Sequence, residues 1–263
     1  MKIVAIANQK GGVGKTTTAM NLSVCLAELE KSVLLIDLDP QANATSGLGL
    51  DTGEARSLYG PLVADGDVES LILATRFPHL SIIPSELDLS GSEIEVARMS
   101  NHLTRLREIL QPMREKAAFD FVLLDCPPSL GILMTSALAA ADELLIPLQA
   151  EFFGLEGLAK IVHVSEEIRQ SGANPDLILE GIFMTMLDNR TNLGRQVMDE
   201  VRTHFPEQLY DTFIPRSIRL GEAPSHGLSI IEHDSTSAGA AAYRSLASEF
   251  LRRHRAATAP LTA

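Results

Sequence analysis

The chain has 263 residues, 45% hydrophobic and 21% charged, so it can bury a sizeable core and wholesale disorder is not expected. Its two cysteines exclude a disulfide framework, and no apolar run approaches the roughly 20 residues of a membrane-spanning helix. The formal net charge of -12 disfavours a nucleic-acid partner, but the acidic excess lies before residue 186, because residues 186–255 contain nine Arg and nine Asp or Glu. A local arginine patch in the last third is therefore compatible with the acidic total.

Apolar runs rich in β-branched residues recur along the chain, with helix-like segments between them. They occupy residues 3–7, 33–38, 80–83, 121–124, 144–148, 178–186 and 213–214. Several are apolar throughout, which is typical of strands buried on both faces. The pattern predicts an α/β fold with a mostly parallel, twisted sheet and helices on both faces. We expect a single domain over residues 1–255 and a disordered, uncharged tail over 256–263.

The strongest motif stands between the first predicted strand and a helix predicted over 15–29. It reads Gln-Lys-Gly-Gly-Val-Gly-Lys-Thr-Thr at 9–17. Its backbone can turn its N–H groups towards phosphate, and the predicted nucleotide-binding residues are Gly11, Gly12, Val13, Gly14, Lys15, Thr16 and Thr17. Lys15 would reach the β- and γ-phosphates, and Thr16 would bind Mg²⁺.

This motif departs from the general P-loop pattern at its start. A glycine is usual six residues before the loop lysine, where this chain has Gln9, and a second lysine, Lys10, stands at the loop entrance. The motif therefore predicts a deviant Walker P-loop NTPase. The alternative, a glycine-rich turn without a ligand, is disfavoured because the strand, the glycines, the lysine and the helix occur together.

Two further predicted strands lead into acidic loops. Asp-Leu-Asp-Pro-Gln at 37–41 ends one strand, and Asp-Cys-Pro-Pro-Ser at 125–129 follows another. Because ligands gather at the carboxyl ends of strands in an open parallel sheet, both loops should flank the phosphates. Asp125 is predicted to hold Mg²⁺ through water, and Asp39, beside the metal, to orient or polarise the attacking water. The alternative, that either aspartate merely caps a helix, stays open.

Four segments in this order resemble the ParA/Soj family of chromosome and plasmid partitioning ATPases, within the MinD/ParA superfamily. They are Lys-Gly-Gly-Val-Gly-Lys-Thr-Thr-Thr at 10–18, the two acidic segments at 37–41 and 125–129, and Ile-Pro-Arg-Ser-Ile-Arg-Leu-Gly-Glu-Ala-Pro-Ser-His-Gly at 214–227. The last is the most discriminating, since related P-loop ATPases share the first three more loosely. The resemblance implies an ATP hydrolase that uses ATP and Mg²⁺, with slow, partner-stimulated turnover.

The resemblance also implies roles that spacing alone cannot assign. Lys10 would cross the interface of an ATP-bound sandwich dimer and touch the partner's phosphates, which adds it to Lys15 and Asp39 as a catalytic residue. Pro215 and Ser217 would border the adenine, and Ser217 stands where the family usually has Asn. The chain departs from the family's pattern a second time at position 136, where it has serine and the family commonly has Asn.

Arg190 and Arg219 resemble the arginines that give the family's dimer its non-specific grip on double-stranded DNA. Planar guanidinium groups suit phosphate contacts, and a dimer doubles their number, so ATP-driven dimerisation could switch DNA binding. The resemblance further implies an ATP-dependent homodimer, a ParB-type centromere-binding partner and a cytoplasmic, nucleoid-associated location without stable membrane association. The alternative, that both arginines are surface residues paired with nearby acids, stays open.

Other functions remain compatible with such a chain. An orphan ParA-like ATPase that positions a protein cargo would share every catalytic residue. A MinD-like membrane-cycling ATPase would need a C-terminal amphipathic helix with bulky apolar residues, whereas mostly small, neutral residues follow Arg252-Arg-His-Arg255. An iron protein of the nitrogenase type would need cluster-binding cysteines, but Cys25 falls on a core-facing stripe and Cys126 is better explained as a packing residue. A small-molecule kinase or synthetase lacks a sign of a second substrate pocket.

Overall fold

Seven strands form one sheet in the part of the chain that the computed structural model describes, residues 1–51, 56–151, 153–188 and 191–258. The strands are β1 (Lys2–Ile6), β2 (Val33–Asp37), β3 (Leu73–Ala74), β4 (Leu80–Ile83), β5 (Phe121–Asp125), β6 (Glu143–Gln149) and β7 (Ile178–Thr185). Their order is β3-β4-β2-β5-β1-β6-β7, and all neighbours are parallel except β3 and β4. The loop that follows β1 therefore emerges near the middle of the sheet's carboxyl edge.

Helices cover both faces of this sheet. The α-helices of the described residues are α1 (Lys15–Glu28), α2 (Asn43–Gly47), α3 (Tyr59–Val63), α4 (Leu89–Val96), α5 (Arg105–Lys116), α6 (Ile132–Ala140), α7 (Gly154–Gln170), α8 (Asn192–His204), α9 (Ile218–Glu222), α10 (Ile230–His233) and α11 (Ala238–Thr258). One hydrophobic core contains residues of α1, α10 and α11, and a second contains residues of α3 to α8. The predicted α/β architecture with helices on both faces is confirmed.

The central strands contribute to both cores because successive side chains of a strand point to opposite faces. In β1, Ile3 and Ala5 belong to the core that includes α3 to α8, whereas Val4 and Ile6 belong to the core with α1 and α11. Every residue of β2 and β5 is buried. Strands in this position need apolar side chains at consecutive positions, which explains why these runs do not alternate.

One predicted strand is not formed, and one strand was missed. Residues 213–214 form no strand: the Ile214 N–H donates to the carbonyl of Met184 at 2.8 Å and the Ile214 carbonyl accepts from Leu187 at 3.1 Å, but Pro215 has no N–H with which to extend this pairing. Strand β3 was missed because two residues are too few to show a period; it pairs antiparallel with β4 at the edge of the sheet.

The final helix extends into the segment that was predicted to be a disordered tail. Helix α11 continues to Thr258, so the first three residues of the predicted tail are helical, while residues 259–263 lie outside the described residues. None of the helices in the described ranges combines the length and apolar character needed to span a bilayer.

The two cysteines are buried in different cores, on opposite faces of the sheet. Cys25 packs with α1 and α11, and Cys126 with the core on the other face. Burial raises the pKa of the Cys25 thiol to about 12 and also raises the pKa of Cys126. Both are therefore neutral packing residues at physiological pH, as predicted, and neither is suited to hold an iron cluster between subunits.

Candidate nucleotide site

The glycine-rich loop between β1 and α1 is open towards a cavity and anchored from β7. Gly12 and Gly14 have φ angles of +74° and +89°, which non-glycine residues rarely adopt, and a β-carbon on Gly11 or Gly12 would meet nothing within 4 Å. The Thr185 hydroxyl, at the end of β7, donates to the carbonyl of Val13 at 2.8 Å. The loop therefore has a fixed backbone and free space beside it, as a phosphate cradle requires.

Lys15 is the buried cation of this loop. Its side chain is only 6% exposed, and Nζ donates to the carbonyl of Lys10 at 3.1 Å. Burial lowers the pKa of the ammonium, and the nearby Asp125 and Asp39 carboxylates oppose that change. A buried ammonium with a single backbone acceptor is well placed to bind an incoming anion.

Asp37 and Asp125 end the neighbouring strands β2 and β5 in matched register. Asp37 is fully engaged, because Oδ2 accepts from the N–H and the hydroxyl of Thr45 at 2.9 and 2.7 Å and Oδ1 accepts from the N–H of Asp39 at 3.2 Å. Burial raises the pKa of Asp37 to about 6, while the Thr45 hydrogen bonds limit the rise. Asp37 therefore holds the acidic loop to the helix that follows it.

Asp125 is different, because it is fully buried and neither carboxylate oxygen has a hydrogen-bond partner among the residues that the structure describes. Burial, followed by the Asp37 carboxylate, raises the pKa of Asp125 well above its usual range. The Thr16 hydroxyl lies near enough to favour the charged form without meeting hydrogen-bond geometry. An unpaired buried carboxylate beside a threonine hydroxyl is an oxygen donor set that suits a hard cation such as Mg²⁺.

Asp39 lies at the edge of the cavity and is 8% exposed. Its Oδ1 accepts the N–H of Gln41 at 3.0 Å. The cavity has a volume of about 360 Å³ and is lined by Gly11, Gly12, Gly14, Lys15, Thr16, Thr17, Asp39, Gln41, Asn43, Pro128 and Met186. Three separate segments predicted to meet, the glycine loop and the two acidic loops, thus contribute to one cavity, with Asp125 buried below its surface.

The helix-capping alternative fails for both aspartates. The N-cap residue of α2 is Ala42, and that of α6 is Gly131. Neither helix receives a side-chain hydrogen bond at its N-cap. Asp39 and Asp125 are therefore available for a role in the cavity.

A second, smaller cavity adjoins the first and shares Gly14, Thr17 and Met186 with it. Its volume is about 150 Å³, and its lining is Gly14, Thr17, Thr185, Met186, Ile214, Pro215, Ser217, Leu220, Gly221 and Tyr243. Pro215 and Ser217, predicted from the resemblance to border a base, both lie in this wall. The two cavities together form one groove with a polar compartment at the glycine loop and a mainly apolar compartment beside it.

The sequence patterns missed two residues of this groove. Met186 lines both cavities and has a φ of +49°. This left-handed backbone conformation is uncommon for residues other than glycine, asparagine and aspartate. Tyr243 of α11 is fully buried, and its hydroxyl lies 3.2 Å from the hydroxyl of Thr18. Neither residue belongs to a motif, because contacts between distant segments bring them to the site.

Lys10 points to a partner within its own chain. Its Nζ forms an ion pair with Glu151, in the loop before α7, and its N–H donates to Oδ1 of Asn8 at 3.0 Å. Asn8 in turn donates from Nδ2 to the carbonyl of Pro147 at 2.9 Å. In this state Lys10 is held at the loop entrance rather than in the cavity, and its predicted contact across a dimer stays a prediction.

Of the two arginines predicted to contact DNA, Arg219 lies within the described residues. Arg219, on α9, has a side chain 60% exposed, with Nη1 3.3 Å from Glu222 and Nε 3.8 Å from Asp234. Pairs this exposed contribute only about 0–1 kcal/mol, so Arg219 is paired with acids yet can exchange them for phosphate. Arg190 lies outside the described residues.

Comparison with known proteins extends the similarity beyond the glycine loop. A family model described as an AAA domain matches residues 1–179. The chain is 48% identical to the sporulation initiation inhibitor protein Soj of Bacillus subtilis, over 94% of this chain and 97% of that protein. It is 45% identical to the chromosome partitioning protein ParA of Caulobacter vibrioides, over 97% of this chain and 96% of that protein.

Solved structures support the same comparison. Cobyrinic acid a,c-diamide synthase from Mycobacterium smegmatis, with bound ADP and magnesium, superposes with a TM-score of 0.84 at 32% identity. The match covers 98% of this chain and 96% of that chain. The similarity therefore extends over nearly the whole of both chains.

Proposed function

Because this chain belongs to the ParA/Soj family of chromosome-partitioning ATPases, we propose that it binds ATP with Mg²⁺, dimerises in that state, holds DNA non-specifically and releases it after hydrolysis. The observation that carries the proposal is the groove in which the glycine loop, Lys15 and Asp39 face one cavity above the unpaired Asp125 carboxylate. The superposed M. smegmatis protein holds ADP and magnesium in the same fold.

In this proposal the polar compartment takes the phosphates and the apolar compartment takes the adenine. Thr16 and Asp125 would hold Mg²⁺, with Asp39 beside it, and the metal would neutralise phosphate charge. Lys15 is the cation beside Asp125 and Asp39, and Asp37 adds a third carboxyl group next to Asp125. Nucleotide affinity should therefore depend strongly on a divalent cation, since without it these carboxylates repel the phosphates.

Hydrolysis would require Asp39 to orient water and Lys10 to reach a partner's phosphates. Lys10 would then exchange its ion pair with Glu151 for phosphate oxygens. Slow turnover, stimulation by a ParB-type partner and action at the nucleoid in the cytoplasm complete the proposal. An orphan ATPase that moves a protein cargo over DNA shares all of these residues and differs only in the partner.

Similarity to the M. smegmatis cobyrinic acid a,c-diamide synthase favours a second candidate function, that of an ATP-dependent synthetase acting on a small molecule. We rank it lower because identity to Soj is 48%, against 32% to that structure, over a similar share of the chain. Turnover stimulated by cobyrinic acid but unaffected by DNA would reverse this ranking.

The experiment that separates these functions is co-sedimentation of the purified chain with DNA and, separately, with lipid vesicles. Each is repeated with ATP, with ADP and without nucleotide. We expect retention on DNA with ATP alone and none on vesicles. Retention on vesicles with ATP would support a MinD-like cycle instead, and equal DNA retention in all three conditions would contradict a nucleotide switch.

Arg219→Glu is expected to weaken DNA retention while ATP-dependent dimerisation persists. Each lost phosphate contact reduces the salt slope by roughly 0.9, so a dimer should lose about two units of slope in a salt titration. Arg202→Glu is the matched control, because Arg202 is 62% exposed and has a similarly weak acidic partner, Asp199 at 3.7 Å, but lies on α8. Equal losses in both variants would indicate a general charge effect rather than a contact at Arg219.

Asp125→Asn is expected to abolish Mg²⁺-dependent hydrolysis and yet stabilise the nucleotide-free protein. The amide keeps the shape of the side chain and removes the free-energy cost of burying a carboxyl group at neutral pH, a cost that the raised pKa of Asp125 expresses. A gain of about 1 kcal/mol would raise Tm by roughly 2–4 °C in a chain of this size. Thermal unfolding without nucleotide measures the first effect and phosphate release the second; a lower Tm would indicate that the carboxylate has a structural role.

A further inference from the structure

Arg76, in the turn between β3 and β4, joins two segments that are far apart in the sequence. Nη1 donates to the carbonyl of Leu48, directly after α2, and Nη2 donates to the carbonyl of Gly227 at 2.7 Å. Nε and Nη2 contact the two carboxylate oxygens of Glu232 at 2.5 and 2.7 Å. One guanidinium thus binds three acceptor groups, two of them backbone carbonyls.

The two segments also touch directly beside this guanidinium. Gly49 and Gly227 have φ angles of +73° and +66°. A β-carbon on Gly49 would lie 2.7 Å from Nη1 of Arg76 and 3.0 Å from the Gly227 carbonyl oxygen, and one on Gly227 would lie 3.0 Å from the Gly49 α-carbon. The backbones are therefore packed at a distance that only glycine permits on both sides.

The first of these segments is fixed to the acidic loop. The Ala42 N–H donates to the carbonyl of Asp39 at 2.8 Å, and Thr45 binds Asp37 through its N–H and its hydroxyl. Helix α2, which ends at Gly47, is thus attached at its start to the loop that lines the phosphate cavity. Leu48 and Gly49 follow this helix, so α2 connects Asp39 to the carbonyl that Arg76 holds.

The second segment carries the other half of the groove. Five residues between 214 and 221 line the smaller cavity, and Arg219 lies in the same segment without lining it. The chain then reaches Gly227 through a 3₁₀ turn, Ala223–His226. Helix α10 follows this turn, and Glu232 forms its capping box with Ser229, in which Oε2 of Glu232 accepts from the Ser229 N–H at 3.0 Å. Arg76 therefore holds both the residue that ends the turn, Gly227, and the carboxylate that caps the next helix.

We propose that Arg76 is a positioning residue that couples the Asp39 loop to the segment bearing Ser217 and Arg219. The inference rests on the proposed function, because it gives the nucleotide state a physical path to the DNA-contacting arginine. A guanidinium suits this role, since its planar fork can hold a carboxylate and two carbonyls at once, whereas an ammonium has no such geometry. Coupling of this kind is a measurable free energy between two sites.

The test compares Arg76→Ala and Arg76→Lys with Arg105→Ala. Arg105 is a matched control because its guanidinium also holds backbone carbonyls, those of Pro61, Leu62 and Ala64, which line neither cavity. For each protein, hydrogen exchange of residues 214–232 is measured with and without ATP, together with ATP affinity and ATP-dependent DNA retention.

In the parent chain we expect ATP to slow exchange across residues 214–232. Arg76→Ala should bind ATP with near-parental affinity, lose that response and lose about fivefold or more of the ATP-dependence of DNA retention. Arg76→Lys should not rescue either readout, and Arg105→Ala should keep both even where its Tm falls. If Arg76→Ala folds poorly, Glu232→Gln removes the charge of the carboxylate and should weaken the same response.

Three results would overturn the coupling: a parental exchange response in Arg76→Ala, an equal loss in Arg105→Ala, or no response to ATP in the parent chain. DNA retention of the parent chain tests the proposed function separately from the role of Arg76. A parent chain that responds to ATP in hydrogen exchange but is never retained on DNA would reject the DNA switch and leave the role of Arg76 intact.

Discussion

Lys15→Ala is expected to abolish ATP binding. The lysine is a buried cation that lines the phosphate cavity, and its Nζ donates to one backbone carbonyl of the described residues, that of Lys10 at 3.1 Å. Charge-assisted hydrogen bonds contribute about 1.5–3 kcal/mol each, so loss of contacts to two phosphates should weaken binding by at least roughly 100-fold. Calorimetric titration with a non-hydrolysable ATP analogue and Mg²⁺ measures the effect.

Lys160→Ala is the control for this variant. Lys160 is half exposed on α7 and pairs with Glu156 one helical turn away, so its removal should leave ATP affinity unchanged. Unfolding of Lys160→Ala without nucleotide should be similar to that of the parent. The same measurement shows whether Lys15→Ala, which removes the cation beside Asp125, is folded well enough for the binding experiment. Near-parental ATP affinity in Lys15→Ala would refute the glycine loop as the phosphate site, and the remaining assignments would lose their basis.

The parts of the site that could be predicted are those encoded by contiguous residues. The glycine loop is read directly from its spacing, and Asp39 and Asp125 follow from the rule that ligands gather at the carboxyl ends of parallel strands. The strand rhythm likewise predicted six of the observed strands, because central strands leave long apolar runs. These features require no knowledge of which distant residues meet.

The features that escaped prediction depend on contacts across the fold. Met186 directly follows β7, Tyr243 lies on α11 and Glu151 lies in the loop before α7. Nothing in their neighbouring residues marks them as part of the site. Arg76 lies in a short turn without periodicity, and its role is visible only when Leu48 and Gly227 are adjacent. A local pattern reports local structure, so long-range positioning residues have no signal in a single sequence.

The acidic loop at residues 37–41 shows that prediction from sequence is limited even between neighbouring residues. Asp37 and Asp39 are two residues apart in one motif, and both are buried. Spacing does not reveal that the Asp37 carboxylate accepts two hydrogen bonds from Thr45. Nor does it reveal that the Asp39 carboxylate lines the cavity and, among the described residues, accepts one hydrogen bond, from the Gln41 N–H. The structure therefore separates a carboxylate that holds the loop from one that is free to act on a ligand, and the two should respond differently to substitution.

Asp37→Ala is expected to destabilise the protein, because it leaves the buried N–H and hydroxyl of Thr45 without their acceptor. Each buried group that loses its partner costs about 1–3 kcal/mol. Asp39→Ala should have little effect on unfolding, since its side chain accepts one N–H at the cavity edge. Thermal unfolding without nucleotide compares the two directly and shows whether the Asp39 variant is folded well enough for kinetic work.

Asp39→Ala is then expected to bind ATP and Mg²⁺ but to hydrolyse ATP at least roughly 100-fold more slowly, the range typical for loss of a group that orients or activates the nucleophile. Lys15, Thr16 and Asp125 are untouched, so the ATP state should still form and should accumulate. Phosphate release in single turnovers measures the rate, and a chase with excess ADP measures release from DNA. We expect the variant to stay on DNA through the chase while the parent dissociates. A parental rate of phosphate release would remove Asp39 from catalysis; slow hydrolysis with rapid release from DNA would keep Asp39 in catalysis and sever the proposed link between hydrolysis and release.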